Sequence, residues 1–170
     1  GDTPALTRWW PSVYLDVRER APGDERGIGK IVELHTKGWL PYTLRWSFET
    51  VESRYPHGFT IRAFGDFDGR GIWTLAADGP ETAIGYDWKI RGDKPLFRYG
   101  SFLLKPLFAA NHEWAMRRGE ESLRLELARR RAATPAERAA VPPPPGPTTF
   151  PPFLVVGIIA GLGLLILGAR

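Results

Sequence analysis

His112 is the side chain in this sequence that is best suited to chemistry, because an imidazole can act as a general acid or base or bind a metal. It opens the segment His112-Glu113-Trp114-Ala115-Met116, which begins like the zinc-protease motif H-E-x-x-H. Met116 stands where the second histidine must be, so we predict no zinc site of that kind. A structural hydrogen bond to Asp66 or Asp87 is the simpler expectation. If the protein is an enzyme, His112 is the one candidate for a catalytic acid or base.

Other patterns carry less chemistry. Asp66 and Asp68 flank a predicted hairpin turn, where aspartate is favoured for backbone reasons. The segment Gly27-Ile28-Gly29 is not a dinucleotide loop, because Val32 takes the place of the third glycine. The chain has no cysteine, which excludes a disulfide framework, a cysteine-ligated metal and a thiol nucleophile. We predict no metal and no cofactor, although a lipid or another apolar molecule could be bound.

Six segments ahead of His112 alternate apolar and polar residues, as strands do in a sheet with one buried face. They are Val13–Glu19, Gly27–Thr36, Tyr42–Ser53, His57–Asp66, Gly69–Ala77 and Glu81–Arg91. The turn signals Asp68-Gly69 and Asp78-Gly79-Pro80 are short, which predicts an antiparallel meander.

A long helix is predicted from Lys105 to Arg131, after a loop or lead-in. Pro106 suits its first turn, and three arginines at its end complement the helix dipole. Residues at spacings of three and four define the face that we expect to be buried. They are Phe108, His112, Ala115, Gly119, Leu123 and Leu127.

The C-terminal region reads as a tether into a membrane. Residues 132–149 form an alanine- and proline-rich linker, in which VPPPPGP predicts an extended polyproline II spacer. Residues 150–170 carry no charge before Arg170 and are long enough, at about 30 Å as a helix, to span a bilayer once. Gly157 and Gly161 form a small-xxx-small pair that predicts close packing against another transmembrane helix.

The charge distribution predicts the orientation of that span. Between Arg117 and Arg138 there are seven arginines and four glutamates, just ahead of the apolar tail. Because basic residues favour the cytoplasmic side, we expect a single-pass inner-membrane protein with its folded domain in the cytoplasm. Arg129, Arg130 and Arg131 are predicted to contact anionic lipid headgroups. Nucleic acid is not an expected partner, since no aromatic platform accompanies these arginines.

Five segments together resemble the START/Bet v 1-like superfamily, and within it the bacterial polyketide cyclase/dehydrase-like (SRPBCC) branch. They are Trp9-Trp10, Lys37–Trp46, Gly65–Trp73, Tyr86–Ile90 and Asn111–Leu123. With the predicted elements, the resemblance implies an α+β helix-grip domain over residues 1–131, in which the sheet wraps around the long helix. Members of the superfamily also have a strand and a helix before the point where this chain begins. The resemblance further implies a deep apolar cavity between sheet and helix.

The alternation of the strands directs several aromatic side chains to the inward face, where they would line a ligand cavity or form an ordinary packed core. The predicted lining residues are Trp46, Phe59, Ile61, Trp73, Tyr86, Trp88, His112 and Gly119. Our leading hypothesis is a non-catalytic accessory subunit of a larger membrane complex; a photosynthetic or respiratory assembly would fit. The alternatives are a carrier for an apolar ligand (a lipid, pigment or polyketide) and a polyketide cyclase or dehydratase that uses His112.

Overall fold

The computed structural model describes residues 3–92 and 95–149. The predicted transmembrane helix at 150–170, with Gly157 and Gly161, lies outside this described part of the chain. Within the described part, no helix is both long enough and apolar enough to cross a membrane.

The described chain forms a six-stranded antiparallel sheet and one long helix, so the predicted α+β class and antiparallel meander are confirmed. The strands are hydrogen-bonded in sequence order, β1 to β6. A 3-10 turn at Thr3–Ala5 precedes the other elements. These are α1 Leu6–Trp9, β1 Tyr14–Ala21, β2 Ile31–Lys37, β3 Thr43–Ser53, β4 Gly58–Gly65, β5 Phe67–Asp78, β6 Glu81–Gly92, α2 Pro95–Arg131 and α3 Pro135–Ala140.

The described residues divide into two compact units. Unit 1 consists of residues 3–4, 16–35 and 44–92 and contains most of the sheet. Unit 2 consists of residues 5–15, 36–43 and 95–149 and contains the helices, the chain that leads into β1 and the β2–β3 connection. The finer assignment to a helix-grip fold stays a prediction.

In β2 and in the middle of β4, alternation correctly predicts which side chains of unit 1 are buried. In β2, Val32 is fully buried and Leu34 is 1% exposed, while Glu33 between them is partly exposed. In β4, Ile61 and Ala63 are buried and Arg62 is exposed. Alternate residues of a strand point to the same face of a sheet, so these apolar side chains are buried together while the residues between them point to the other face.

The turn between β4 and β5 lies earlier than the sequence predicts. Asp68 and Gly69 belong to β5, and the chain reverses at Asp66 instead. Gly65 has φ +120°, a conformation that glycine tolerates and other residues do not. Asp66 fixes the turn to β3, since its Oδ2 accepts a 2.7 Å hydrogen bond from the amide of Arg45. The second predicted turn is correct: Asp78 pairs with Glu81 across a two-residue turn.

Helix α2 begins at Pro95 rather than Lys105, so Pro106 lies inside the helix and not in its first turn. The buried positions of its second half are Gly119, Ser122 and Glu126. This face differs from the predicted one: His112 is exposed and Leu127 is 39% exposed. In this second half of α2 the buried residues are therefore small or polar.

Candidate functional site

Six aromatic side chains form a continuous row across the sheet of unit 1, which we call the aromatic row. In spatial order they are Phe59, Trp73, Tyr86, Trp88, Trp46 and Phe67. All six lie on one face, because the strand register pairs Phe59 with Trp73 and Trp73 with Tyr86.

The first four rings of the row lie nearly parallel to their neighbours. The ring centroids are 5.8 Å apart for Phe59 and Trp73, and 4.1 Å apart for Trp73 and Tyr86. Tyr86 and Trp88 follow at 5.6 Å, with an interplanar angle of 24°. The row then turns: Trp88 is 5.9 Å from Trp46 and perpendicular to Phe67.

Gly71 lies beneath the row and lets the ring of Trp88 lie close to the sheet. Gly71 pairs with Ile61 on one side and Trp88 on the other. A Cβ on Gly71 would lie 2.7 Å from Cε3 of Trp88, so the indole covers the bare backbone of β5. Ile61 beneath it is 5% exposed.

The face that carries the row is partly open. Phe59, Trp73, Tyr86 and Trp88 are each half-buried. The pairing of Leu75 with Ile84 and of Gly69 with Ile90 puts both isoleucines on this face, where they are 51% and 48% exposed. The face thus offers aromatic and aliphatic surface to an apolar molecule.

The two predicted lining residues on α2 have different surroundings. His112 is exposed to solvent. The space above Gly119 is filled by the indole of Trp10, whose Cζ2 lies 2.3 Å from where a Gly119 Cβ would be. The carboxylates considered as partners for His112 have partners in unit 1: Asp66 accepts from Arg45, and Asp87 lies 3.2 Å from Lys89.

Glu126 organises the end of α2. Its carboxylate, 5% exposed, accepts two 2.8 Å hydrogen bonds from the guanidinium of Arg8 in α1. Arg130 donates a third at 2.7 Å, and Arg129 lies 3.5 Å away. The hydrogen bonds from Arg8, followed by those from Arg130, lower the pKa of Glu126 from 4.5 to about 2 against the opposing effect of burial. The carboxylate therefore stays charged at neutral pH and ties α1 to α2.

Two of the three arginines predicted to contact lipid also make contacts within unit 2. Arg129 is 23% exposed and donates to the carbonyl oxygens of Val141 and Pro142, at 3.5 and 2.8 Å. Arg130 is 60% exposed while it binds Glu126. Arg131 is exposed at the last residue of α2.

The proline-rich segment is held at both ends by other residues of unit 2. Arg129 binds its first carbonyls, as described above. At the other end the ammonium of Lys37 donates to the carbonyl of Thr148, and the Thr148 hydroxyl donates to the carbonyl of Gly38 at 3.3 Å. We call these contacts of Arg129, Lys37 and Thr148 the latch. Sequence reasoning missed it, because Lys37 and Thr148 are 111 residues apart and carry no local signal.

The β2–β3 connection that receives the latch is itself fixed to α2. The amide of Leu40 donates to Oδ1 of Asn111 at 3.1 Å. A Cβ on Gly38 would lie 2.1 Å from that same oxygen, so only glycine lets the loop approach. Tyr42 meets Phe108 edge-on at 6.3 Å, and burial raises the pKa of Tyr42 to about 12.

The opposite face of the sheet is charged and internally paired. Glu52 contacts Arg54 at 2.6 Å and accepts from the Thr60 hydroxyl at 2.9 Å, and these hydrogen bonds lower its pKa. Arg62 pairs with Glu49 at 3.1 Å. Across residues 3–92 and 95–149, no three histidine, aspartate or glutamate side chains cluster so that they could hold a metal ion.

Comparison of the chain with protein-family models and with curated proteins finds no match. The resemblance to the START/Bet v 1-like superfamily therefore stays a prediction.

Proposed function

We propose that this chain is a membrane-anchored, non-catalytic accessory subunit of a larger membrane protein complex. The proposal combines the predicted span at 150–170 with one structural observation, the latch. Lys37 and Thr148 bind the end of the proline-rich segment, and Arg129 binds its beginning. A segment bound at both ends gives a fixed point of departure at Thr149, where a free linker would give a range of positions.

A fixed departure point suits a subunit that must hold one orientation against its neighbours. A carrier that exchanges its cargo with the bilayer would gain more from a free tether. The exposed Arg131 fits a position near anionic headgroups, as do the basic residues on the folded side of the predicted span. The partners in this proposal are the bilayer and other membrane subunits, and the location is the cytoplasmic face of the inner membrane.

The test is purification of the full chain from its native membrane in mild detergent, followed by protein quantification by mass spectrometry. We expect a fixed stoichiometric set of membrane proteins with the wild type. The double variant Lys37→Met, Thr148→Val removes both contacts at the far end of the latch. It should remain in the membrane but recover those proteins in at most about half the amount. Lys89→Met, at a side chain 82% exposed in β6, is the matched control.

A second variant addresses the tail. Leucine at both Gly157 and Gly161 should reduce recovery of the same partners if the predicted span packs through its small residues. A wild-type chain that is recovered alone would overturn the accessory-subunit proposal, as would a tail that leaves the chain soluble.

The aromatic row favours a second function, the binding of an apolar ligand such as a lipid or pigment. Its rings are half-buried and lie beside the exposed Ile84 and Ile90. Covering this apolar surface with a ligand would lower the free energy of the complex. Organic extraction of the purified full chain should then release one apolar compound in stoichiometric amount. Trp73→Leu should lower that yield, while Phe64→Leu, on the opposite face of the same sheet, should not. Extraction of nothing but detergent and bulk lipid would remove this function.

A further inference from the structure

Three polar atoms of unit 2 are buried without a hydrogen-bond partner among the described residues. Trp10 Nε1, Ser12 Oγ and Ser122 Oγ have no hydrogen-bond partner in the part of the chain that the structure describes. Both serines are fully buried. Leaving such a group unsatisfied is destabilising, so three together in one small unit require an explanation.

Two of these atoms lie on the same face of α2. The indole of Trp10 rests on Gly119: its Cε2, the atom bonded to Nε1, is 2.6 Å from where a Gly119 Cβ would be. Ser122 follows Gly119 by three residues, and such positions are neighbours on a helix surface, about 5–6 Å apart. The indole of Trp10 and the Ser122 hydroxyl therefore lie over the same stretch of α2.

The chain ahead of Trp10 closes over Ser122. Arg8 binds Glu126, one turn beyond Ser122, while Trp10 covers Gly119, one turn before it. Ser122 is thus bracketed by two contacts between the same pair of segments. Both contacts hold the segment from Arg8 to Trp10 against α2, which explains why the hydroxyl is fully buried.

Ser12 is brought to the same region by a tight turn. The carbonyl oxygen of Trp10 accepts hydrogen bonds from the amides of Val13, at 3.3 Å, and Tyr14, at 3.1 Å. The chain therefore folds back on itself at Ser12. The ring of Tyr14 meets that of Trp10 edge-on at 5.1 Å, and burial raises the pKa of Tyr14 to about 12. Ser12 therefore lies in the buried turn that carries the indole.

We propose that Trp10, Ser12 and Ser122 bind one buried water molecule between α2 and the turn that follows α1. An indole N–H can only donate, whereas each serine hydroxyl both donates and accepts. A water can accept from Trp10 and donate to both hydroxyls, which gives the three hydrogen bonds typical of a buried water. The donor of Trp10 does not fit a bound cation, and the neutral hydroxyls supply no charge for an anion.

This water completes the polar side of α2. Asn111 binds the β2–β3 connection, Glu126 binds Arg8, and the water binds Ser122. Every buried polar side chain named on this face of the helix then has a partner. The contact between α1 and α2 is a hydrated polar contact, which accounts for a buried face that contains little apolar surface.

Thermal unfolding of the full chain in detergent tests the proposed water, because its presence decides whether the serine variants have a lower or a higher Tm than the wild type. We expect Ser12→Ala and Ser122→Ala each to lower Tm by about 2–4 °C, since each removes a hydrogen bond to the water. The double variant should lose less than the sum, because both serines hold the same molecule. Ser47→Ala, in β3, is the control and should leave Tm within about 1 °C.

The opposite sign would overturn the proposal. If Ser122 has no partner, alanine removes a buried unsatisfied hydroxyl and is the better helix former, so Tm should stay constant or rise. Strict additivity of the two serine effects would also overturn it, because a shared water couples them.

Nuclear magnetic resonance gives a direct reading of the same site. The indole N–H of Trp10, assigned by its loss in Trp10→Phe, should show a cross-relaxation peak to water while it exchanges slowly with solvent. Ser122→Ala should weaken that peak. A slowly exchanging indole N–H without a peak to water would contradict the proposal.

Discussion

Unit 1 buries mainly apolar side chains and unit 2 buries a larger share of polar ones, and that difference decides how well each could be predicted. Unit 1 buries alternate apolar residues of its strands, such as Val32, Leu34 and Ile61. Unit 2 buries Ser122 and Glu126 on its long helix and leaves Leu127 partly exposed. Apolar burial follows from local pattern, whereas polar burial depends on partners that are distant in the sequence.

The largest effect that separates the two units is expected at Glu126. Glu126→Gln keeps the size of the side chain but leaves Arg8, Arg129 and Arg130 without a buried negative charge. Removing one member of a buried ion pair costs about 3–5 kcal/mol, and the 54% exposure of Arg8 puts our expectation near the lower end, at about 3 kcal/mol. Chemical denaturation of the full chain measures this loss.

The control is Glu120→Gln, which changes an exposed carboxylate of the same helix that pairs with Arg124 at 2.6 Å. An exposed pair of this kind contributes about 0.3–0.5 kcal/mol. Equal losses for the two variants would show that Glu126 is no more important than a surface residue, and the contrast between the units would fail.

The same carboxylate predicts a pH dependence. The folded-state pKa of Glu126 is about 2 and the reference value is 4.5. Because the folded pKa is the lower one, its stabilising contribution is complete above about pH 4.5 and is lost as the pH falls towards 2. Between these values the wild type should lose stability more steeply than Glu126→Gln. Parallel curves would show that the carboxylate titrates normally.

Gly119 gives the second largest effect, with a sign opposite to helix propensity. Alanine in a helix interior is usually worth about 1 kcal/mol over glycine. Here its Cβ would lie 2.3 Å from the Trp10 ring, so Gly119→Ala should destabilise the chain by about 1–3 kcal/mol. In a Trp10→Leu background the loss should shrink or reverse. A stabilising Gly119→Ala in the wild-type chain would show that Trp10 does not cover this position.

Gly71 is the counterpart in unit 1, where Trp88 covers a strand instead of a helix. Gly71→Ala should cost about 1–2 kcal/mol, because its Cβ would lie 2.7 Å from Trp88 and 3.1 Å from Ile61. Gly146→Ala, with no atom within 4 Å of the new Cβ, is the control. The effect should be smaller than at Gly119, since the new Cβ would lie 2.7 Å from Trp88, compared with 2.3 Å from Trp10 at Gly119. A larger effect at Gly71 would reverse this part of the comparison.

The sequence supported more about unit 1 than about unit 2 for a physical reason. Strand alternation placed Trp73, Tyr86 and Trp88 on one face, and the structure joins them in the aromatic row. Phe67 is not among the predicted lining residues, because the Asp68-Gly69 signal predicts the turn two residues too late and leaves Phe67 outside both strands. The expected turn at Asp68-Gly69 used a strong dipeptide signal, but the hydrogen bond from Arg45 to Asp66 determines the turn instead.

In unit 2, helical periodicity selected Leu127 and His112 over Ser122 and Glu126. Serine and glutamate are mostly exposed in proteins, so periodicity alone favours the apolar positions. Their setting depends on Arg8, which is 118 residues from Glu126, and on the indole of Trp10 above Gly119. No local window of sequence contains that information. The latch between Lys37 and Thr148 was missed for the same reason.

The smallest effect is expected on the charged face of the sheet, where Arg62 and Glu49 pair at 3.1 Å with 63% and 31% exposure. The coupling energy from a double-mutant cycle of Arg62→Ala and Glu49→Ala should be about 0.5 kcal/mol, since water and salt screen the pair. It should fall further in 1 M sodium chloride, whereas the loss at Glu126→Gln should change little. A coupling energy at Arg62 as large as the loss at Glu126 would mean that exposure does not separate the ion pairs of the two units. The contrast would then rest on apolar packing alone.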